Sequence, residues 1–415
     1  MSSDKTPVKL PVETRPSSVV KDAAFLASCA PSTRLVHGGT LRSGFDETAE
    51  ALFLNSGYVY ASAEEAEESF DGTRERYVYS RFRNPTVQMF EDRLALLEGA
   101  EACRSTATGM AAIFASLACL VKAGDRVVGS RALFGSCTYI LTDILPHWGV
   151  TTEFVDPDDL AGWERALSQP TKAVLLETPS NPGLQLIDLP AVSALAHKAG
   201  AQVIVDNVFA TPILQSPLQL GADIVVYSAT KHIDGQGRCL GGAILGSKDY
   251  IENTLGVFLR HTGPSLSPFN AWVLLKGLET LDLRVEKASR TAFALAQALE
   301  AEAGVARVAY PLLDSHPQKA LAQAQMKAGG TMLAVEVKGG KAGAFSLLNR
   351  LKLAHISNNL GDSKTLACHP YTTTHQRLTP EDKVAQGITE GLLRVSVGLE
   401  DANDLIADFR QALQG

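Results

Sequence analysis

The sequence lacks any long apolar run. Nothing in its 415 residues approaches the roughly 20 consecutive apolar side chains needed to span a bilayer, so no membrane segment is expected. The opening stretch, MSSDKTPVKLPVETRPSS, has no apolar centre of the kind a secretory leader carries. Cysteine is sparse: Cys29, Cys103, Cys119, Cys137, Cys239 and Cys368 are scattered, with no CxxC pair and mostly small or apolar neighbours. That pattern excludes a disulfide framework and a zinc ribbon and points to reduced thiols in a cytoplasmic protein with no metal site. Basic charge is not in excess either. A net charge of −7 argues against nucleic acid as a partner. No repeat period or low-complexity tract is present.

What is present is an ordinary globular composition on a chain too long for a single core to be the default. Residues 1–33 are polar and punctuated by Pro7, Pro11, Pro16 and Pro31, which predicts a poorly ordered start. From there to about residue 70 the chain reads as an extended arm with ALFLNSGYVY as its apolar part. The middle alternates strand-like and helix-like segments. TGMAAIFASLACLV (108–121) and LPAVSALAHKAG (189–200) read as helices. DRVVGS (125–130), KAVLLETPSNP (172–182), AQVIVDNVFATP (201–212) and GADIVVYS (221–228) read as buried strands running into turns. Such alternation is the signature of a parallel sheet with crossover helices. Glycine and proline cluster at HTGPSLSP (261–268), and one long amphipathic helix is expected to follow. The organisation predicted is an arm over 1–70, a large α/β domain over 71–264 and a smaller α+β domain over 265–415. Strands near TMLAVEVK (331–338) and LLRVSVGL (392–399) belong to the last.

In parallel sheets, ligands sit beyond the carboxyl ends of the strands. The polar residues delivered there are Asn181, Asp206, Ser228, Thr230 and Lys231. Lys231, between hydroxyls at the end of a buried run, is either an ordinary strand-end lysine or an amine held for covalent chemistry. Asp206 is either a turn cap or a carboxylate facing a ligand. Taken together, a lysine and an acid at neighbouring strand ends suit pyridoxal phosphate, which needs an amine for covalent attachment and a carboxylate for its ring nitrogen. STATGMAAI sets Gly109 and Met110 at the start of an apolar helix, where backbone N–H groups can receive a phosphate or merely allow close packing. YVYSRFRNPT carries Tyr79 and Arg81 on one face of an extended segment before a proline turn. Arg394 interrupts an apolar strand, with a structural ion pair and a substrate carboxylate both open to it.

Together YSRFRNPT, ATGMAA, ETPSNP, VDNVFATP, SATKH and LRVSVGLE resemble, in order, the motifs of the Cys/Met-metabolism pyridoxal-phosphate enzymes. The resemblance runs from about residue 35 to the end. It implies an α/β, aspartate-aminotransferase-like fold (fold type I), pyridoxal 5'-phosphate as cofactor, and a homotetramer built from two catalytic dimers. It makes Lys231 the Schiff-base lysine and Asp206 the partner of the ring nitrogen. Gly109, Met110, Ser228 and Thr230 would form the phosphate cup, which Tyr79 and Arg81 complete from the neighbouring subunit. Asn181 would lie near the cofactor oxygen and the substrate carboxylate, and Arg394 would clamp that carboxylate. Where the family usually stacks a tyrosine on the ring, RALFGSC offers Phe134, which keeps the stacking and loses the phenol.

Members of the family differ in what leaves and what attacks. Those that handle cystathionine resemble one another in a Glu-Ser pair before Leu-Gly, where the acid can meet a distal ammonium. Here Asn358 and Asn359 stand in those places, which favours a small acceptor such as sulfide and makes Asn359 a substrate-binding candidate. The lyases that act on methionine carry a cysteine where this chain has Ser136. NLGDSKTL, KHIDGQGRCLGGAI and HTGPSLSPFNAW look most like members that exchange the succinyl group of O-succinylhomoserine for sulfide. Cystathionine γ-synthesis and sulfhydrylation of the acetyl ester are the alternatives.

Overall fold

The computed structural model describes residues 22–414. Its framework is a seven-stranded sheet of β1 (Ala102–Thr106), β2 (Arg126–Ser130), β3 (Thr151–Val155), β4 (Ala173–Glu177), β5 (Gln202–Asp206), β6 (Ile224–Ser228) and β7 (Gly242–Gly246), in the order β1-β7-β6-β5-β4-β2-β3. The run from β3 to β6 is parallel, while β7 pairs antiparallel with both β6 and β1. The central strands read as continuous apolar runs because both faces are covered. Val127, Leu175, Ile204 and Val226 pack on one side with Ile113 and Leu117 of the helix Gly109–Ala118. Val128, Val174, Val203 and Val205 pack on the other with Trp163 and with Val192 of the helix Leu189–Lys198.

A second sheet of five strands follows: β8 (Val305–Ala309), β9 (Met332–Val337), β10 (His355–Ile356), β11 (Leu366–Cys368) and β12 (Leu392–Ser396), ordered β10-β11-β12-β9-β8. It is antiparallel except for the β10–β11 pair. Its core joins Leu333, Val335, Leu393 and Val395 to Leu295 and Leu299 of a long helix and to Leu405 and Phe409 of the last one. The molecule is thus an α/β fold with a large, mainly parallel sheet and a smaller second sheet. Among the described residues no helix is long and apolar enough to cross a membrane, and the six cysteines are free thiols.

Two expectations about local structure are corrected. The segment expected to be an unordered start and an extended arm carries three helices within its described part, Ala23–Ser28, Pro31–His37 and Ala63–Asp71; residues 1–21 lie outside the described residues. The third helix is set by local chemistry: the Ser62 hydroxyl accepts the Glu65 N–H, and Glu65 reaches back to accept the Ala61 N–H at 2.6 Å. The single long helix expected after residue 268 is two, Pro268–Leu278 and Leu281–Glu300. Arg284 takes up groups freed at the break, donating to the Gly277 carbonyl at 2.7 Å and to the Thr280 hydroxyl at 3.2 Å. A third bond, to the carbonyl of His232 at 2.7 Å, ties the break to the residue next to Lys231.

Candidate active site

The sheet changes winding direction at β2 and β4, since β3 lies on one side of β2 and β4 to β6 on the other. Such a switch point opens a crevice at the carboxyl ends of the strands, and a cavity of about 360 Å³ lies there. The end of β4 supplies Glu177 and Asn181, the end of β5 supplies Asp206, and the end of β6 supplies Ser228, Thr230 and Lys231. Phe134 enters from the segment after β2, and Gly109 and Met110 from the first turn of a helix capped by the Thr108 hydroxyl. Arg394 arrives from the second sheet, on β12. Nine of the residues expected from the sequence to hold cofactor or substrate therefore line one cavity, and Asn358 lines it with them.

Lys231 sits part-buried and donates from Nζ to Asn359 Oδ1 at 2.6 Å. Burial, and then the positive charge of Arg394, pull its pKa below the usual lysine value. Both favour the neutral amine that a nucleophile and proton acceptor requires. Arg394 is buried and already oriented: Nη1 donates to Asn181 Oδ1 at 3.0 Å and Nη2 to the Asn358 carbonyl at 2.8 Å. Asn359 stands beside Lys231 and also offers its carbonyl to Arg394 at 3.4 Å.

Asp206 opens onto the cavity. Its Oδ1 accepts the Val208 N–H at 3.1 Å, and desolvation pushes the carboxyl above its ordinary range. A carboxylate so enclosed calls for a cation in front of it. Gly109 packs so tightly on Ser228 that a Cβ there would come within 2.5 Å of the serine Cβ. The glycine is needed for that approach, which brings the helix's first N–H groups beside the Ser228 hydroxyl, a set of donors that could receive a dianion. Thr230 is more committed than expected, its hydroxyl accepting from Gly241 N–H at 3.0 Å. Pyridoxal phosphate matches this set: an amine for its aldehyde, an acid for its ring nitrogen, an aromatic face and a phosphate cradle.

Tyr79 and Arg81 do not line this cavity. Tyr79 is bridged to Gly57 and 41 % exposed. Arg81 donates to the Arg260 carbonyl and lies over the Tyr79 and Phe82 rings. Glu177 is the residue that sequence reasoning passed over. It is buried, Oε2 accepting the Phe134 N–H at 2.7 Å and Oε1 the Asn181 N–H at 3.1 Å. One carboxylate thus fixes both the aromatic wall and the residue that orients Arg394. Burial, then the Asp206 carboxylate in register across β4 and β5, push its pKa well up. The signal was available, an acid at a strand end four residues before Asn181. Thr374, from a loop of the second sheet, also reaches the cavity and carried no signal.

Residues 32–414 match the description "Cys/Met metabolism PLP-dependent enzyme". A Mycobacterium tuberculosis protein named O-succinylhomoserine sulfhydrylase is 56 % identical over 96 % of this chain and 99 % of its own. A Pseudomonas aeruginosa protein of the same name is 46 % identical over 94 % and 96 %. Among solved structures, a Campylobacter jejuni protein described as an O-acetylhomoserine (thiol)-lyase superposes with a TM-score of 0.89 at 32 % identity, covering 93 % of this chain and 100 % of that one. It carries a pyridoxyl-lysine. With its sheet order, its lysine and acid at adjacent strand ends and its match over nearly the whole length, this chain belongs to the Cys/Met metabolism PLP-dependent enzyme family.

Proposed function

We propose that the protein exchanges the acyl group of O-succinyl-L-homoserine for sulfide, giving L-homocysteine and succinate, a transferase step of methionine biosynthesis. The observation that carries this reading is the neutral acceptor side of the cavity. Asn358 and Asn359 stand next to Lys231 and Arg394. Among the described residues the carboxylates that line the cavity, Glu177 and Asp206, lie at the strand ends of the large sheet and not on that segment, where the ammonium of a larger amino-acid acceptor would need one. The names of the relatives at 56 % and 46 % identity support it.

In this reading Lys231 is the cofactor anchor and the group that moves protons. Gly109, Met110, Ser228 and Thr230 would hold the phosphate, Phe134 would pack on the ring, and Asp206 would hold the ring nitrogen. Bound there, pyridoxal phosphate supplies an electron sink for charge that develops at the substrate's Cα. Arg394, held by Asn181, grips the α-carboxylate bidentately and fixes the Cα–H toward Lys231. Lys231, as a free neutral amine, would accept the Cα proton, pass it on along the ring face and, neutral again, accept one from Cβ as the Cγ–O bond breaks and succinate leaves. Sulfide adds at Cγ and the protons return from Lys231 in reverse order. Phe134 has no phenol, so this proton traffic falls to Lys231. In steady-state assays sulfide should be used far better than cysteine as acceptor; efficient cystathionine formation at low cysteine would move the assignment to a cystathionine γ-synthase.

Tyr79 and Arg81 are proposed to reach the phosphate of a neighbouring subunit in a homotetramer of two dimers. Their position outside their own chain's cavity supports this, as do the exposed Leu54, Val59 and Phe70 on the arm. Arg81→Ala and Lys231→Ala chains, each inactive alone, should regain activity when mixed. Random pairing leaves roughly a quarter of the sites intact, and confirmed hybrids with no activity would rule out the sharing.

A further inference from the structure

Beyond Phe134 and Thr374, which line both, the cofactor cavity adjoins an outer one of about 470 Å³. Its walls are the helical segment after Phe134 and the loop 373–378. Two charged side chains line it among the described residues, Arg377 and Asp143. His375, also there, is buried and kept neutral, its pKa pushed down to about 4 by burial and then by Arg394. Arg377 is exposed and makes no hydrogen bond or ion pair with any described residue. The neighbouring cations are engaged. Lys231 holds Asn359 and Arg394 holds Asn181. Lys383 lies 4.2 Å over the Tyr371 ring and donates to the Gln376 carbonyl. Asp143 accepts the Thr142 hydroxyl at 2.6 Å.

We propose that Arg377 receives the distal carboxylate of a dicarboxylic acyl ester and so sets the preference for a succinyl over an acetyl leaving group. This rests on the γ-replacement reading above. With the α-carboxylate held by Arg394 and the amine turned to Lys231, the ester on Cγ points away from both. An acetyl tail ends there in a methyl group. A succinyl tail continues into a carboxylate, which must find a cation or remain in water. The outer cavity offers one free guanidinium, whose planar fork matches a carboxylate. Asp143 opposes the same charge, so the two residues should shift selectivity in opposite directions.

The test uses the holoenzyme with sulfide and each ester in turn, together with calorimetric titration of succinate. Arg377→Ala should lower the succinyl-to-acetyl ratio of kcat/KM about tenfold or more, mainly through a higher KM for the succinyl ester, and should weaken succinate binding to a similar degree. Arg377→Lys, which keeps the charge and loses the fork, should fall between. Asp143→Asn should raise the ratio. A ratio and a succinate affinity that stay within about twofold of the parent in both Arg377→Ala and Asp143→Asn would overturn the assignment. If the parent protein turns over neither ester, the γ-replacement reading fails, and the succinate titration still judges Arg377: equal affinity in parent and Arg377→Ala overturns it.

Discussion

Lys231→Ala should leave a folded protein without turnover. The side chain is part-buried at the end of β6 and makes one hydrogen bond, to Asn359, so its loss removes little packing. It removes both functions proposed for it, covalent attachment of the cofactor and proton transfer at Cα and Cβ. Proton transfer by a positioned group is by itself worth about a hundred- to ten-thousand-fold, so a fall in kcat of at least that order is expected. Burial and then the nearby Arg394 lower the pKa of the free amine, which moves it toward the neutral form that can accept a proton. Added alkylamines cannot restore the anchor. Borohydride reduction of the parent holoenzyme, followed by peptide mass mapping, should place the pyridoxyl group on Lys231; a label on another lysine would refute the assignment.

Asp206→Asn should bind cofactor and lose most of the rate. The Val208 N–H donates to Asp206 Oδ1 at 3.1 Å, and an asparagine oxygen can accept that bond in the same place. The substitution therefore changes chiefly the atom that faces the cavity. An amide there cannot hold a ring nitrogen protonated. Losing a charge-assisted contact of this kind costs about 1.5–3 kcal/mol in the ground state, or roughly ten- to a hundredfold in cofactor affinity. The cost in kcat should be larger, because charge flows into the ring as the Cα proton leaves and the contact matters most at that moment. Cofactor titration followed by saturating kinetics separates the two effects. A near-parental kcat at full occupancy would show that Asp206 does not serve the ring.

The catalytic end of the sheet was legible because β4, β5 and β6 are covered on both faces. Each reads as an unbroken apolar run, so the first polar residues after it mark the strand end, and Asp206 and Lys231 appear where they are. Strand direction left no such trace. GAILG of β7 is as apolar as its parallel neighbours, and nothing in its composition indicates that it runs the other way. The helix Ala63–Asp71 had a readable start, Ser62 followed three residues later by Glu65, but the apolar residues before it drew attention to an extended form. The break at Glu279–Thr280 was hidden, since it depends on Arg284 reaching carbonyls both nearby in sequence and in the Lys231 loop. Thr374 and Arg377 were hidden for a similar reason. Both lie in a loop whose place beside Phe134 is decided by how the second sheet docks, and docking is not a local property of the chain.

Two polar contacts join the halves inside the cavity, Lys231 to Asn359 and Arg394 to Asn181, beside an apolar seam where Phe209 meets Met332 and Leu360. A bound amino acid with its α-carboxylate on Arg394 and its amine directed to the Lys231 side spans the same gap. The ligand is then a removable crosspiece between two separately built halves, and thermodynamic linkage follows. Whatever free energy the halves gain by closing on substrate is available to tighten its binding, and saturating ligand adds to the stability of their union as the logarithm of its concentration. Inherited or engineered changes at the seam would therefore show first as weakened saturation by substrate, well before either half loses its own core.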